Sequence, residues 1–476
     1  MEMSDCWLMR SLWVYLFAVI LLLGGIGSGR GQVDVSSDLE TIRTNRHMPG
    51  LMAMCIKQGR IVAQGATGYR RQGQGEKLLL TDLVNIASNT KWMTATIAGR
   101  LVDRGLISWD TRVSDLFTNY QNFNAAFTSA TLDQLLAHRA GVQSGATFEN
   151  NHWNQLLAQS GTIPQIRRWV SDTVLTDAPE VAPGNFLYSN QGYTVAATML
   201  ELASGKAWET LIQEEIFTPL RMTTATLGIV YDDVVPPEAP VGHDLAAGQT
   251  VPVPRAATSD NVNYHYEASN GAGAYTACTL QDWAKFLHLH VTSDIGDYLT
   301  AATGARLQQP FPGPTFSGAD GYARGAYVYT NLSWAKPGNA LYHGGDVWGE
   351  DSIAWMSPGR DFIVVVYANC HSADSSAILA MSDAASLLIG RYAGAAASGP
   401  WLEIPTDLPL RRVANGFAFD YLTLCGVRYR VETSPDLQNW TTNNNGTNGQ
   451  IATSLLSSFT DTNAAPMKFY RAHLLP

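Results

Sequence analysis

Two residues in the first quarter of the chain have the types and the spacing for nucleophilic catalysis. Ser88 and Lys91 stand three positions apart, just before an apolar-periodic run that predicts a helix over Trp92–Arg104. Residues three apart share one face of a helix, so the lysine amine can reach the serine hydroxyl. A hydroxyl needs a neighbouring base, and a helix N-terminus near an apolar surface favours a neutral, proton-accepting lysine. The stretch 85–101 therefore predicts an activated serine.

This spacing is common by chance, and the chain contains it twice. Ser333 and Lys336 repeat it, but they run into Pro337-Gly338, a turn signal that cannot continue a helix, so this lysine is not expected to lie over its serine. The alternative for Ser88 is an ordinary helix-capping serine followed by a solvated lysine. The other motifs of the chain have to decide between the two.

A second motif, Tyr188-Ser189-Asn190, offers groups that could move a proton. It follows a Pro-Gly turn at 183–184 and precedes a helical run over Gly192–Ala203, so Tyr188 and Asn190 stand on a loop that leads into a helix. An activated serine needs a group that carries its proton to the leaving group, and a tyrosine hydroxyl can do this. The alternative is a turn whose tyrosine packs on the core.

The third motif, His343-Gly344-Gly345-Asp346, precedes the last predicted strands. Two glycines beside a strand let a substrate approach the backbone closely. We expect the Asp346 N–H, together with the Ser88 N–H, to form an oxyanion hole, and we expect His343 to face the pocket. The alternative is a plain Gly-Gly strand turn with a surface histidine.

Strand-like runs on both sides of a helical region predict the scaffold for these motifs. Leu51–Ile56 and Arg60–Gly65 surround a Lys-Gln-Gly turn and predict a hairpin, which later strands can join to close one sheet. The later strands are expected at Ala323–Tyr329, Asp351–Met356 and Phe362–Ala368. Between them, periodic runs predict a helical lobe with helices at Trp92–Arg104, Leu132–His138, Trp153–Gln159, Ile163–Val174, Gly192–Ala203 and Trp208–Phe217.

Three further segments complete the predicted layout. Ile229–Ala268 is rich in Pro, Asp and Ala without a clear period, and we interpret it as a wall of the pocket, followed by a helix at Leu280–His290. Residues 393–400 read as a small-residue linker. Residues 401–476 contain turn clusters and short alternating strands, so we predict a small all-β C-terminal module there, with strands at Val427–Glu432 and Met467–His473.

Composition narrows the class of partner and the compartment. The 476 residues carry a net charge of -10 with 15% charged residues and no basic run, which argues against nucleic acid or an anionic membrane and favours a small or neutral substrate. Arg10, an apolar run over Leu12–Leu23 and small residues up to Gly29 predict a signal peptide over residues 1–31. We therefore expect export to the periplasm, the cell envelope or the exterior. A retained membrane anchor is the alternative.

The cysteines indicate neither a metal site nor a fixed disulfide framework. They are widely spaced and include no Cys-x-x-Cys pair, so we expect no metal. One or two disulfides and scattered buried thiols fit the pattern equally well. The sequence has no phosphate-binding glycine loop, and we expect no cofactor.

In this order and at these separations, the three motifs resemble those of the serine β-lactamase superfamily, which includes class C β-lactamases, D-alanyl-D-alanine carboxypeptidases and related esterases. Connecting segments such as Leu135–Gly141 and Asn270–Tyr275 are similar to family signposts, and the resemblance covers residues 35–392. It implies an α/β (α+β) fold with an antiparallel sheet flanked by helices and an all-helical lobe. The site would lie in the cleft between sheet and lobe.

The resemblance also implies a role for each motif residue. Ser88 would be acylated, Lys91 would be its general base, and Tyr188 would pass the proton to the leaving group. Asn190 would hydrogen-bond Lys91 or the amide of the substrate, and Gly345–Asp346 would bind the acyl group as a strand does. Water would then release the acyl group.

The chain departs from the family pattern at His343-Gly344-Gly345, where β-lactamases and carboxypeptidases usually have Lys-Thr-Gly. A mostly neutral histidine is a weaker partner for a substrate carboxylate, and Asp346 adds a repelling charge. The sequence therefore favours a small-molecule ester, an amide or a D-amino-acid peptide over a penicillin. The alternative is a catalytically silent, penicillin-binding-like binding or sensor protein of the cell envelope. The oligomeric state stays open.

Overall fold

The computed structural model describes residues 32–228, 235, 237–256, 259–291, 298–315, 318–397 and 402, together with strands between residues 411 and 475. Numbered along the chain, the strands are β1 Val33–Asp34, β2 Gly50–Lys57, β3 Arg60–Gly68, β4 Val84–Asn85, β5 Thr226–Leu227, β6 His243–Leu245, β7 Val253–Pro254, β8 Thr276–Cys278, β9 Gly321–Tyr322, β10 Tyr327–Tyr329, β11 Ala340–Val347, β12 Glu350–Ser357, β13 Phe362–Ala368, β14 His371–Ser372, β15 Arg411–Val413, β16 Gly416–Leu422, β17 Arg428–Ser434, β18 Thr441–Thr442, β19 Gln450–Ile451, β20 Leu456–Asp461 and β21 Phe469–Leu475. The α-helices are α1 Ser36–Asn45, α2 Thr90–Asp103, α3 Val113–Leu116, α4 Ala125–Thr128, α5 Leu132–Leu136, α6 Gly145–Leu157, α7 Ile163–Thr176, α8 Asn190–Ser204, α9 Trp208–Ile212, α10 Asp260–Ala274, α11 Leu280–His288, α12 Ala301–Gln308 and α13 Ser376–Tyr392.

An eight-stranded sheet in the order β1-β3-β2-β13-β12-β11-β10-β9 forms the scaffold. Its neighbouring strands pair antiparallel, except for a short parallel pairing of β1 with β3. Every residue of β2 and β13 is buried, because these central strands are covered on both faces. The pairing of β13 with β2 joins the early and late parts of the chain, so the predicted closure of one sheet by both is confirmed.

One face of the sheet is covered by α1 and α13. Leu39 of α1 and Leu388 of α13 lie in the same apolar cluster as Leu51 of β2 and Val364 of β13. The buried face of α13 also carries several alanines, which let the helix approach the sheet closely. Neither helix was predicted from the sequence. α1 is mostly polar, and α13 is rich in alanine, so neither shows a clear apolar period in the sequence.

A helical lobe lies between β3 and β9 along the chain, and α8 is its centre. α8 packs against α7 and α10, and α10 also contacts α2. Small side chains at these contacts allow polar bridges between helices. Thr194 Oγ1 of α8 donates to the Ser269 carbonyl of α10 at 2.6 Å, and Thr94 Oγ1 of α2 donates to the Ala272 carbonyl at 2.6 Å. The lobe therefore holds α2, α8 and α10 side by side.

The predicted helices of the lobe are present as α2, α5, α6, α7, α8 and α9, and the last continues as a π-helix over Gln213–Phe217. The prediction of an irregular segment over Ile229–Ala268 is wrong in part, because β6 and β7 lie in it and α10 begins at Asp260. Ser259 caps this helix by accepting a hydrogen bond from the Val262 N–H. The glycines and alanines of α10 give it no clear apolar period, which conceals it in the sequence.

Three cysteines, Cys55, Cys278 and Cys370, are buried free thiols. For these three the interpretation as scattered buried thiols therefore holds. Cys6 and Cys425 lie outside the described residues.

A second compact unit contains residues 403–476, while residues 32–293 and 298–402 belong to the first. In the second unit, β16 pairs with β15 and β20, and β17 pairs with β18, β19 and β21. β17 and β21 overlap the strands predicted there. The boundaries of the C-terminal module and of its linker stay predictions.

The N-terminal segment that carries the predicted signal peptide, residues 1–31, lies outside the described residues. Within the part of the chain that the structure does describe, no helix combines the length and the apolar character needed to cross a bilayer.

Candidate active site

Ser88 lies in a 3₁₀ turn, Ala87–Asn89, that leads directly into α2. Ala87 has φ +46°, a left-handed conformation that costs energy for any residue with a side chain. Side chains hold this turn: Asn89 Nδ2 donates to the Ile86 carbonyl at 3.0 Å, and Ser352 Oγ of β12 donates to the same carbonyl at 3.0 Å. The central sheet thus fixes Ser88 at the entrance to the helix.

Lys91 is fully buried in the first turn of α2. Its Nζ lies 3.2 Å from Ser88 Oγ, 2.6 Å from Asn190 Oδ1 and 2.9 Å from the Gly273 carbonyl oxygen. Burial lowers the pKa of Lys91 well below its usual value, and none of these three partners is a carboxylate. A neutral amine has two N–H groups, which suit the two carbonyl oxygens, and one lone pair, which can accept the Ser88 proton. The contacts therefore fit a neutral lysine next to its serine.

Tyr188 reaches the same point from the loop before α8. Its hydroxyl hydrogen-bonds Ser88, and its ring centroid lies 4.7 Å from Lys91 Nζ. Burial raises the pKa of Tyr188 well above its usual value, although the hydrogen bond with Ser88 opposes this shift. The phenol is therefore neutral and keeps a proton to exchange. Ser189 fixes the loop, because its Oγ accepts a hydrogen bond from the Gly192 N–H at 2.9 Å.

β11 passes the 87–89 turn with one edge open. β12 pairs with β11 from Leu341 to Val347 on one side, whereas β10 pairs only with its first three residues on the other. A Cβ on Gly345 would lie 2.4 Å from the Ile86 carbonyl oxygen, so only glycine fits this close approach. The open edge, which includes Gly344 and Asp346, therefore lies beside the nucleophile. The use of its N–H groups as an oxyanion hole stays a prediction.

The alternative of a surface histidine is wrong for His343, which is 1% exposed and packs between aromatic rings, one of them that of Tyr188 at 6.1 Å. The expectation that it faces the pocket stays a prediction. Nδ1 lies 2.6 Å from the Gly344 carbonyl and Nε2 lies 3.2 Å from the Tyr322 hydroxyl, so Nδ1 carries the proton and Nε2 accepts. Burial lowers the pKa of His343 to about 3, and the neutral ring offers no cation to a substrate.

An aromatic layer behind Tyr188 was not predicted as part of the site. The ring of the buried His138 lies 4.4 Å from that of Tyr188 and 5.2 Å from that of Tyr193. Its Nδ1 accepts a hydrogen bond from the Ser189 N–H at 3.1 Å, and burial lowers the pKa of His138 well below its usual value. The layer is therefore uncharged. The family-like segment Leu135–Gly141 is the sequence signal that could have indicated it.

Glu350, the first residue of β12, is a second feature that the motifs did not reveal. It is buried and accepts hydrogen bonds from the Asn85 N–H at 3.2 Å, from Asn85 Nδ2 at 2.8 Å and from the Tyr367 hydroxyl at 2.7 Å. Burial raises the pKa of Glu350 to about 7, although these donors favour the carboxylate. Because Asn85 closely precedes Ser88, Glu350 ties the strand that enters the nucleophile turn to the sheet.

Asp346, Asp351 and His371 form the one group of potential metal-binding side chains among the described residues. His371 Nδ1 lies 3.2 Å from Asp351 Oδ1 and 3.3 Å from Asp346 Oδ2. The hydrogen bond with Asp351 raises the pKa of His371 to about 9, so the protonated ring pairs with both carboxylates. We interpret this group as an ion network.

The chain is similar in sequence to one protein family over most of its length. Residues 35–386 match the family model described as Beta-lactamase. The chain is 24% identical to penicillin-binding protein 4 of Amycolatopsis lactamdurans over 340 residues, which is 69% of this chain and 83% of that protein. It is 21% identical to the protein flp of Staphylococcus aureus strain COL over 344 residues, which is 72% of this chain but only 64% of flp.

Two solved structures share the fold at lower sequence identity. The D-amino acid amidase of Ochrobactrum anthropi SV3, complexed with L-phenylalanine amide, has a TM-score of 0.57 at 17% identity and covers 75% of this chain and 98% of its own. EstCE1, a hydrolase with promiscuous acyltransferase activity, has a TM-score of 0.58 at 17% identity and covers 73% and 96%. The family match spans most of the chain, so the resemblance read from the three motifs is confirmed and the chain belongs to the beta-lactamase family of serine hydrolases.

Proposed function

We propose that the protein is an exported hydrolase that cleaves a carboxylic ester or a D-amino-acid amide through a covalent Ser88 acyl-enzyme. The observation that carries this proposal is the environment of Lys91. A fully buried amine that lies 3.2 Å from Ser88 Oγ and donates to two carbonyl oxygens is set up to receive the Ser88 proton. A structural lysine of the same burial would need a carboxylate partner.

The geometry supports a two-step reaction without a cofactor. Ser88 Oγ attacks the substrate carbonyl while its proton moves to Lys91 Nζ, and Tyr188 relays that proton to the leaving alcohol or amine as the acyl–oxygen or acyl–nitrogen bond breaks. Asn190 holds the lysine amine in place, and the open edge at Gly345–Asp346 takes the acyl group. A water molecule then attacks the ester carbonyl and gives its proton to the same base. The base returns this proton to Ser88 Oγ as the acyl–Oγ bond breaks, which frees the product acid and restores the serine hydroxyl.

The neutral His343 supports esters and amides over penicillins. Penicillins carry a carboxylate, and the position usually held by lysine in β-lactamases holds a buried ring that stays uncharged above pH of about 3. A D-amino acid amidase and a hydrolase with promiscuous acyltransferase activity share this fold. We therefore rank short esters and D-amino-acid amides or peptides above cephalosporins and penicillins.

The competing function is that of a binding or sensor protein that is acylated but does not turn over. The similarity to a penicillin-binding protein supports this alternative. The two functions differ in the fate of the acyl-enzyme. Intact-mass measurement during incubation with an ester would show a lasting adduct on Ser88 and no product for a sensor.

The experiment that tests the proposal compares p-nitrophenyl acetate, D-phenylalanine amide and a cephalosporin on the wild type and on Ser88→Ala. We expect ester and amide turnover in the wild type and loss of about a thousandfold or more in the variant. Equal hydrolysis by both proteins would show that Ser88 is not the nucleophile. Faster turnover of the cephalosporin than of the ester would overturn the substrate order.

The proposal extends to the ends of the chain. Export rests on the signal-peptide pattern in residues 1–31, and the β-rich module over residues 401–476, after a linker at 393–400, would act apart from hydrolysis. Deletion of residues 401–476 should leave ester hydrolysis intact, which the activity assay on the shortened chain checks. Cell fractionation of the full chain tests export, and recovery of the protein only with the cytosol would refute it.

A further inference from the structure

A cleft of about 500 Å³ lies at the end of β11, and the proposed chemistry does not use it. Asp346, Val347 and Trp348 form one side of the cleft, and Glu149 and Trp153 of α6 face them. Asp346 is part of the open strand edge beside the nucleophile. A group attached to an acyl chain bound on that edge would therefore enter this cleft.

The walls of the cleft are aromatic. The ring of Tyr266, from α10, lies 5.4 Å from that of Trp348 and 6.3 Å from that of Trp153. Tyr266 and Trp348 also pack against an apolar cluster that contains Ala87, the residue before the nucleophile. The aromatic surface thus extends from the cleft to the base of the Ser88 turn. Faces of several aromatic rings around one space attract a cation, best of all an alkylated ammonium group.

The charged groups around the cleft leave an excess of negative charge. Arg255 is paired with Asp244, since its Nε lies 2.6 Å from Asp244 Oδ2. The protonated His371 is shared by two carboxylates, those of Asp351 and Asp346. Glu149 and Asp346 line the cleft together with Arg255 and His371, whereas Asp244 and Asp351 are ion-pair partners of these two cations outside its lining. Counted together, the six groups carry two positive and four negative charges when all are ionised, an excess of two negative charges.

We propose that this cleft is a specificity subsite for a cationic group on the acyl part of the substrate. The inference rests on the proposed function, because it assumes an acyl group held on the β11 edge. Aromatic walls and excess carboxylate select together for an ammonium group over both a neutral group of equal shape and a carboxylate. Glu149 and the three aromatic residues Trp153, Tyr266 and Trp348 determine the specificity.

Two p-nitrophenyl esters that differ in one atom test this subsite. The cationic substrate is the ester of 4-(trimethylammonio)butanoate, and the neutral substrate is the ester of 5,5-dimethylhexanoate, in which carbon replaces the charged nitrogen. Both kcat/KM values are divided by the rate of hydroxide-catalysed hydrolysis of the same ester, which removes the difference in intrinsic reactivity. We expect the wild type to prefer the cationic ester about tenfold at low salt, and less at high salt.

Matched variants test which residues cause the preference for the cationic ester. Glu149→Gln keeps the side-chain size and removes one charge, and we expect it to lower the preference about threefold. Asp110→Asn removes the same charge from an exposed position outside the lining of the cleft, and we expect it to leave the preference unchanged. Trp348→Leu should lower the preference by removing an aromatic face. Thermal unfolding of each variant controls for misfolding.

The outcomes separate the subsite from the hydrolase function. If the neutral ester is hydrolysed in a Ser88-dependent way but the normalised preference is close to one, the subsite is wrong and the hydrolase function stands. An equal drop for Glu149→Gln and Asp110→Asn would also overturn the subsite, because the effect would then come from net charge. If neither ester is hydrolysed faster than by Ser88→Ala, the proposed function itself fails.

Discussion

The chain contains the same serine-lysine spacing at two places, and the structure gives the two copies opposite environments. Lys91 is fully buried, and its Nζ contacts Ser88 Oγ at 3.2 Å. Lys336 is exposed, and its Nζ donates instead to the Thr330 carbonyl at 2.6 Å. Both serines begin or lie in a 3₁₀ turn, so the local backbone alone does not separate the copies. The copies differ in the path of the chain after the turn and in the surroundings of the amine.

The two copies share their spacing and differ in the burial of the amine. After Ser88 the chain continues as the long helix α2, whose neighbours α8 and α10 exclude water from Lys91. After Ser333 the chain turns away at Pro337, and the amine of Lys336 stays exposed to water.

The largest expected effect is the contrast between Lys91→Ala and Lys336→Ala. Removing the proposed base should lower kcat/KM for p-nitrophenyl acetate by about 10³-fold or more, whereas removing the exposed lysine should change it less than about twofold. Small amines such as methylamine should restore part of the activity of Lys91→Ala, because they can occupy the vacated space and accept the proton. Similar losses of kcat/KM in both variants would show that Lys91 has no special role as the base.

The pH profile of the wild type tests the same base without a mutation. Burial lowers the pKa of Lys91, and only the neutral amine can act as the base. We therefore expect kcat/KM to rise with pH as Lys91 loses its proton and to reach its plateau well below pH of about 10, where an ordinary lysine titrates. Stopped-flow measurement with a neutral ester checks this. A profile that keeps rising past the ordinary lysine pKa would contradict a neutral Lys91.

Tyr188→Phe should have the next largest effect. The hydroxyl that bonds Ser88 is lost while the ring stays in its aromatic layer, so we expect kcat to fall about a hundredfold with little change in thermal stability. The loss should be greater for an amide than for a p-nitrophenyl ester, whose leaving group needs no proton. Tyr327→Phe is the control, since this ring packs on His343 in the same layer. If the control loses as much activity, Tyr188 serves packing rather than proton transfer.

The sequence alone distinguishes the two serine-lysine copies, but it does not show how Lys91 becomes buried. The Pro-Gly signal after Lys336 and the apolar period after Lys91 are local features, and they were sufficient to choose Ser88. The contact between Lys91 and the Gly273 carbonyl joins residues 182 positions apart, on a helix whose small residues hide it from pattern analysis. Only the folded chain shows how the amine is desolvated.

The same limit applies to His343. A histidine next to two glycines is as compatible with a pocket wall as with a surface turn, and nothing local indicates a ring enclosed by tyrosines from β9 and β10. The sheet is predicted well because β2 and β13 are continuous apolar runs. The neutrality of His343 was expected from its ordinary pKa, whereas its burial follows from strand pairing over a long separation.

The smallest expected effect concerns Glu350, which has no counterpart in the three motifs. Protonation of Glu350 weakens it as the acceptor of the two Asn85 N–H donors and of the Tyr367 hydroxyl, and this loosens the strand that enters the Ser88 turn. With the pKa of Glu350 at about 7, kcat/KM should therefore fall about tenfold as the pH is lowered through neutrality.

Two variants separate this titration from that of Lys91. Glu350→Gln cannot ionise, so it should show a low, flat profile around neutral pH in place of the fall. Tyr367→Phe removes a donor that lowers the pKa of Glu350, so it should move the same fall to higher pH. If the fall in kcat/KM moves to higher pH in Tyr367→Phe and is absent in Glu350→Gln, the fall is caused by protonation of Glu350. Lys91 cannot be its cause, because both variants contain Lys91. If neither variant alters the profile, the whole pH dependence belongs to Lys91, and the burial of that one amine accounts for the difference between the two copies.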